Sequence, residues 1–136
     1  MTMATPRCVA LKCEVNDLFD KDLKPAVLKQ IKQTVKAQVD KNDALSFDEN
    51  CKDGWLLTAT VLSLKVDNKD NPKTIEVKVL IGGVPLFGTS NGFKASGHSK
   101  AAGINARKME EEAKSIVDDA LKDAMTKQAL PQMVKP

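Results

Sequence analysis

Apolar positions recur along this chain at two different periods, and the switches between them mark out its elements. From Arg7 to Val15 the residues Cys8, Val9, Leu11, Cys13 and Val15 loosely alternate with polar neighbours, which predicts a mostly buried first strand. Asn16-Asp17 breaks that run. Asp22 then offers an N-cap and Pro25 a first-turn residue whose missing N–H costs nothing. Beyond them Val27, Leu28, Ile31, Val35 and Val39 fall on one helical face, so a helix is expected to about Asp40, with Lys29, Lys32 and Lys36 on its solvated back.

Leu45–Phe47 reads as a short second strand, followed by a polar turn from Asp48 to Gly54. In the third strand, Trp55 to Val66, Trp55, Leu57, Ala59 and Val61 share one parity, but Leu62, Leu64 and Val66 take the other. A regular strand cannot keep both sets on one face, so a bulge near Val61–Leu62 is expected. After the turn-rich Asp67–Lys73 comes a clean alternation of Ile75, Val77, Val79 and Ile81, the second arm of a hairpin. Gly82-Gly83 and Pro85 should interrupt it, and Val84–Phe87 with Phe93–Ala95 would supply an irregular edge strand. Met109, Ala113, Ile116, Val117, Ala120, Leu121 and Ala124 form the stripe of a second helix, expected from Asn105 to Ala129 and stopped by Leu130-Pro131. Its ion pairs at i,i+4 would be Glu110–Lys114, Asp118–Lys122 and Asp123–Lys127.

The pattern predicts one α+β domain over residues 7–130: an antiparallel sheet of four or five strands with two helices packed on it, in the order β-α-β-β-β-α. Residues 1–6 would be a disordered leader and 131–136 a frayed tail.

Composition narrows the function classes. With 136 residues, 42% hydrophobic and 29% charged, the chain is one ordinary globular domain. Twenty-one basic against eighteen acidic residues leave a formal charge of +3, too little to demand a polyanion. Aromatics make up 4%, and none lies between Phe19 and Phe47 to stack bases beside the lysine stripe, so no nucleic acid is expected. No apolar run is long enough to span a bilayer. Met1–Pro6 lacks the basic and apolar regions of a signal peptide, which leaves the compartment open, since a removed leader leaves no trace.

Candidate chemistry is sparse. Cys8 and Cys13, five apart in a strand, point to opposite faces and make poor joint metal ligands, and no second Cys/His pair completes a zinc site. Cys51 can bridge to either of them, leaving one thiol free. His98 is the only histidine, and no motif joins it to a cysteine or serine nucleophile, so neither a catalytic residue nor a metal or cofactor is expected. Gly92–Ser99 has the glycine spacing of a phosphate-binding loop, but His98 stands where that motif requires lysine. It reads as a flexible connection into the last helix. The alternative is a small anion or nucleotide bound by the basic loop 92–103 through Lys94, His98 and Lys100. The stronger lead is Val84-Pro85-Leu86-Phe87, apolar residues set between glycines, where Leu86, Phe87 and Phe93 would meet a protein partner.

The order of elements adds a resemblance. A strand, a long helix, a short strand, a long hairpin opening on Trp55-Leu56-Leu57-Thr58-Ala59-Thr60-Val61, a glycine-rich stretch and an Ala-rich closing helix resemble the small α+β domains of bacterial envelope proteins. These include the outer-membrane lipoproteins that activate penicillin-binding proteins and the amino-terminal domain of the Tol-system propeller protein. The resemblance covers about Arg7 to Ala129 and is one of pattern, carrying no residue role. It implies a non-enzymatic protein that binds protein partners in the periplasm.

Overall fold

A computed structural model, which describes residues 7–67, 73–87, 91–103 and 106–134, sets five strands into one mixed sheet with both long helices on the same face. The expected leader 1–6, the hairpin tip 68–72 and the expected helix start at Asn105 lie outside the described residues. β1 (Arg7–Val15) leads into a short 3-10 turn, Lys21–Leu23, and then α1 (Lys24–Asp40). The cap is Asp20 rather than Asp22: its carboxylate accepts from the Asp22 backbone N–H at 3.0 Å, while Pro25 sits in the first turn of α1 as expected. β2 (Leu45–Phe47), β3 (Trp55–Asp67), β4 (Thr74–Pro85) and β5 (Phe93–Ala102) follow, then α2 (Met109–Ala124).

The strand order is β2-β1-β3-β4-β5, and the expectation of a purely antiparallel sheet is corrected. β1 runs parallel to β2 on one side and to β3 on the other, and only β3–β4 and β4–β5 are antiparallel. The cause is the crossover: α1 carries the chain back to the end of the sheet where β1 began, so β2 must run in the direction of β1. Residues 48–54 then pass from one flank of β1 to the other, because Val9 is opposite both Phe47 of β2 and Trp55 of β3. Contact at this crossing is close enough that a Cβ on Gly54 would meet the Cys8 carbonyl oxygen at 1.9 Å. The Cys8–Cys51 disulfide, Cα–Cα 5.5 Å, staples it and resolves which cysteine Cys51 joins. Cys13 is the free one.

The bulge falls where the parity flip placed it. The β3–β4 register shifts between Val61 and Ser63, so Leu62 is left over and 38% exposed while Leu64 is fully buried. Beyond the bulge, Leu64 exchanges backbone bonds with Asp17 and Phe19, extending the β1 side of the sheet past Val15. Two expectations fail nearby. Gly82-Gly83 does not interrupt β4, which continues to Pro85, and Phe93–Ala102 is a full strand rather than an irregular edge piece or a flexible connection. Alternation does not reveal β5, because its inward positions are Ala95, Gly97, Ser99 and Ala101, too small to register as an apolar face.

α1 packs on β1 and β2, α2 on β4 and β5, and the two helices pack on each other. Val27, Ile31, Val35 and Val39 meet Ile116, Val117, Leu121 and the sheet's Leu57, Val61, Val77 and Ile81 in one continuous core. One polar relay bridges the helices inside this layer. Gln30 Nε2 donates to Thr34 Oγ1 at 2.9 Å, and that buried hydroxyl donates to Asp118 Oδ1 at 2.7 Å. Asp118–Lys122 and Asp123–Lys127 form as expected, but Glu110 and Lys114 make no ion pair among the described residues. The closing helix also does not stop at Leu130-Pro131. A π-helical turn, Met125–Ala129, leads into α3 (Leu130–Met133), where Pro131 occupies a first-turn position that needs no N–H and Met133 is buried.

Candidate interaction surface

Trp55 opens β3 at the end of the sheet where β4 finishes and β5 begins, and its register partner is Pro85. That placement gathers aromatics from three segments. Phe87 stands edge-on to the indole at 5.6 Å between ring centroids, and Phe93 lies tilted against it at 5.4 Å. Arg7, from the start of β1, lays its guanidinium over Phe87 at 3.5 Å from the ring centroid. The Leu86 N–H donates to the Gly54 carbonyl at 2.7 Å, which ties the segment after β4 to the crossing at β1. Trp55 is buried, and its indole Nε1 finds no acceptor among the described residues.

The three residues singled out for partner binding therefore divide. Phe87 and Phe93 pack half-buried against the core through Trp55, while Leu86 is exposed, with Val84 more exposed still at 56%. Leu86 is thus the solvent-facing neighbour of the aromatic cluster, whereas Val84, opposite Leu56, points to the sheet face away from Trp55. Sequence reading named neither Trp55 nor Arg7 as part of this group: an isolated Trp at a strand start looks like core, and nothing local links Arg7 to Phe87.

Lys94, His98 and Lys100, the residues considered for an anion, lie on β5 and point to the sheet face without helices. His98 Nε2 is 3.0 Å from a Glu76 carboxylate oxygen on the neighbouring strand. This hydrogen bond, more than the charges of Lys78 and Lys100, holds the Glu76 carboxyl below its ordinary range. The expected loop 92–103 is thus an extended edge. Its backbone N–H groups alternate between the β4 ladder and the outer side instead of converging on one point, as a phosphate cradle requires.

The outer side of β5 has one notable partner. Gln128, in the π-helical turn, donates from Nε2 to the Ser96 carbonyl at 2.8 Å and accepts at Oε1 from the Ser96 N–H at 3.1 Å. No sequence signal marks Gln128, an exposed glutamine on a helix. A groove lined by Ser96, Gly97, His98, Asp123, Lys78 and Leu62 lies beside it.

Among the described residues the remaining reactive groups do not converge. Cys13 faces the helix layer and burial pushes its thiol up, with Lys32 pulling weakly the other way; His98 is on the opposite face. Cys8, Cys51 and Asp53 are close together, but the two sulfurs are bonded to each other and cannot serve as thiolate ligands.

No protein-family model and no curated protein matches this chain. Solved structures do. The fold is similar to the PelC dodecamer from Paraburkholderia phytofirmans, with TM-score 0.60, 11% identity, and 93% of this chain and 91% of that one covered. It is similar to protein XCC0632 from Xanthomonas campestris, with TM-score 0.61, 8% identity, and 96% and 85% covered. It is similar also to lipoprotein GNA1162 from Neisseria meningitidis, with TM-score 0.53, 9% identity, and 84% and 97% covered. At these identities the likeness is one of fold, a fold that at least one bacterial lipoprotein uses over nearly its whole length.

Proposed function

We propose that this chain is a non-catalytic interaction protein of the bacterial cell envelope that docks a protein partner at the Trp55 end of its sheet. The observation that carries the reading is exposed Leu86 set beside the Trp55–Phe87–Phe93 cluster, whose buried indole N–H has no acceptor among the described residues. Aromatic anchors with exposed apolar neighbours are the composition of an interface centre. A disulfide closing the β1 crossing fits an oxidising compartment such as the periplasm, and the fold shared with a lipoprotein agrees with it. The resemblance to activator lipoproteins and to the Tol-system domain supports a partner-binding role of the same kind. The absence of catalysis rests on the separation of His98 and Cys13 onto opposite faces.

The test is a periplasm-directed form carrying a photo-crosslinking residue at Leu86. A discrete adduct with an envelope protein is expected, and it should disappear in Phe87→Asp while the unfolding midpoint stays within the folded range. An adduct unchanged by Phe87→Asp in folded protein would remove this surface from consideration.

A further inference from the structure

β5 is the edge strand of the sheet, and the direction of its free backbone groups follows from one pair. Ser96 is opposite Leu80, yet its N–H and C=O both go to Gln128 instead of to β4. The Ser96 backbone groups therefore face outward, and so by alternation do those of Lys94, His98 and Lys100, which no other strand pairs among the described residues. At the opposite edge β2 is three residues long, so β5, ten residues long, is the extended edge of this sheet.

The Gln128 carboxamide reproduces what a peptide group offers. It gives one donor and takes one acceptor at a single residue, the same two bonds that a residue of an added antiparallel strand exchanges. A side-chain amide already reads this edge as a strand would. Around it lie Lys94, Lys100, Lys78 and His98, opposed by Glu76, which is paired to His98, and by Asp123, which is paired to Lys127. The open charge is positive. A second copy of β5 would bring the same lysines against these, so self-pairing is disfavoured and an acidic strand is favoured.

We propose that the edge of β5 accepts an extended acidic segment of a partner protein by strand addition, and that Gln128 occupies the central position until that segment displaces it. The inference rests on the partner-binding reading only in requiring a protein ligand; it places a second contact along the strand that Phe93 begins.

The test uses the whole chain, isotope-labelled, and a capped peptide of about ten residues alternating valine and glutamate, with a valine–lysine peptide as control. The expected result is that amides of Lys94, Ser96, His98 and Lys100 shift and gain exchange protection with the acidic peptide alone. Gln128→Ala should tighten binding about fivefold by removing the competitor, and Lys94→Glu with Lys100→Glu should weaken it about tenfold. A third variant, Lys29→Glu on the solvated back of α1, sits away from this edge and should leave peptide binding unchanged. The proposal is overturned if β5 amides stay still in Gln128→Ala, or if shifts appear but Gln128→Ala leaves the affinity unaltered. Peptide binding with no crosslink at Leu86 would sink the Trp55-end reading alone; the crosslink without peptide binding would sink this one alone.

Discussion

Gly97 of β5 lies directly beneath Ala120 of α2: a Cβ added at Gly97 would stand 2.3 Å from the Ala120 carbonyl oxygen and 3.0 Å from a Val79 methyl. The helix is seated on the strand's backbone at this point, which is possible only where no side chain intervenes. Ala120 is one of three buried alanines of α2, with Ala113 and Ala124.

Gly97→Ala should therefore force α2 away from β5 and cost about 1–3 kcal/mol, since backbone cannot move aside as a flexible side chain can. Gly82→Ala on β4, where an added Cβ meets nothing within 4 Å, is the matched control. It should be neutral or stabilising by about 0.5 kcal/mol. Denaturant midpoints for the two variants check this, and equal midpoints would show that α2 is not held so closely.

The disulfide closes a loop between positions 43 residues apart. Chain-entropy reasoning assigns such a link about 4 kcal/mol, and measured native bridges usually fall at 2–4 kcal/mol. Cys8→Ser/Cys51→Ser should lower stability by that order, and a reducing agent should lower the thermal midpoint of the wild type but not of the variant. Calorimetry with and without reductant distinguishes the outcomes.

Thr34→Val keeps the side-chain shape but breaks the relay from Gln30 to Asp118 between the helices. Asp118 keeps Lys122, so the loss should stay near about 1–2 kcal/mol rather than that of an orphaned charge. Adding Asp118→Asn to both backgrounds closes a double-mutant cycle, and a coupling close to zero would mean that the relay contributes nothing.

The Glu76–His98 pair makes a prediction in pH. The hydrogen bond from His98 lowers the Glu76 carboxyl in the folded protein relative to the unfolded chain. Its contribution to stability is therefore present above the ordinary carboxylate range and is lost as pH falls through the folded value. Both groups are substantially exposed, so the effect on global stability is slight and the local titration is the informative readout. In His98→Ala the Glu76 carboxyl should return upward toward its ordinary range, as followed by carboxyl-carbon chemical shift. An unchanged Glu76 titration would place the cause elsewhere.

Much of the frame was legible from side-chain pattern because burial itself imposes the period. The valines and isoleucines of α1 and β4 repeat at the spacing of the face they cover, and the parity flip at Val61–Leu62 could be satisfied only by an extra residue in the strand. The candidate site was half legible. Leu86, Phe87 and Phe93 stand out as apolar residues in a turn-rich stretch, but Trp55 and Arg7 join them only because strand pairing brings the starts of β3 and β1 beside the end of β4.

The sequence by itself determined the helical stripes of α1 and α2, the strands β1 to β4, and that one apolar face of each joins a common core, because these are properties of neighbours along the chain. Only the tertiary structure decided that β1 lies in the interior of a mixed sheet, that Cys51 joins Cys8 and not Cys13, that a glycine-rich stretch is a strand, and that Gln128 covers its edge. Each of these depends on backbone pairing between distant segments. Peptide groups are the same at every residue, so the side-chain pattern carries no record of which one will meet which.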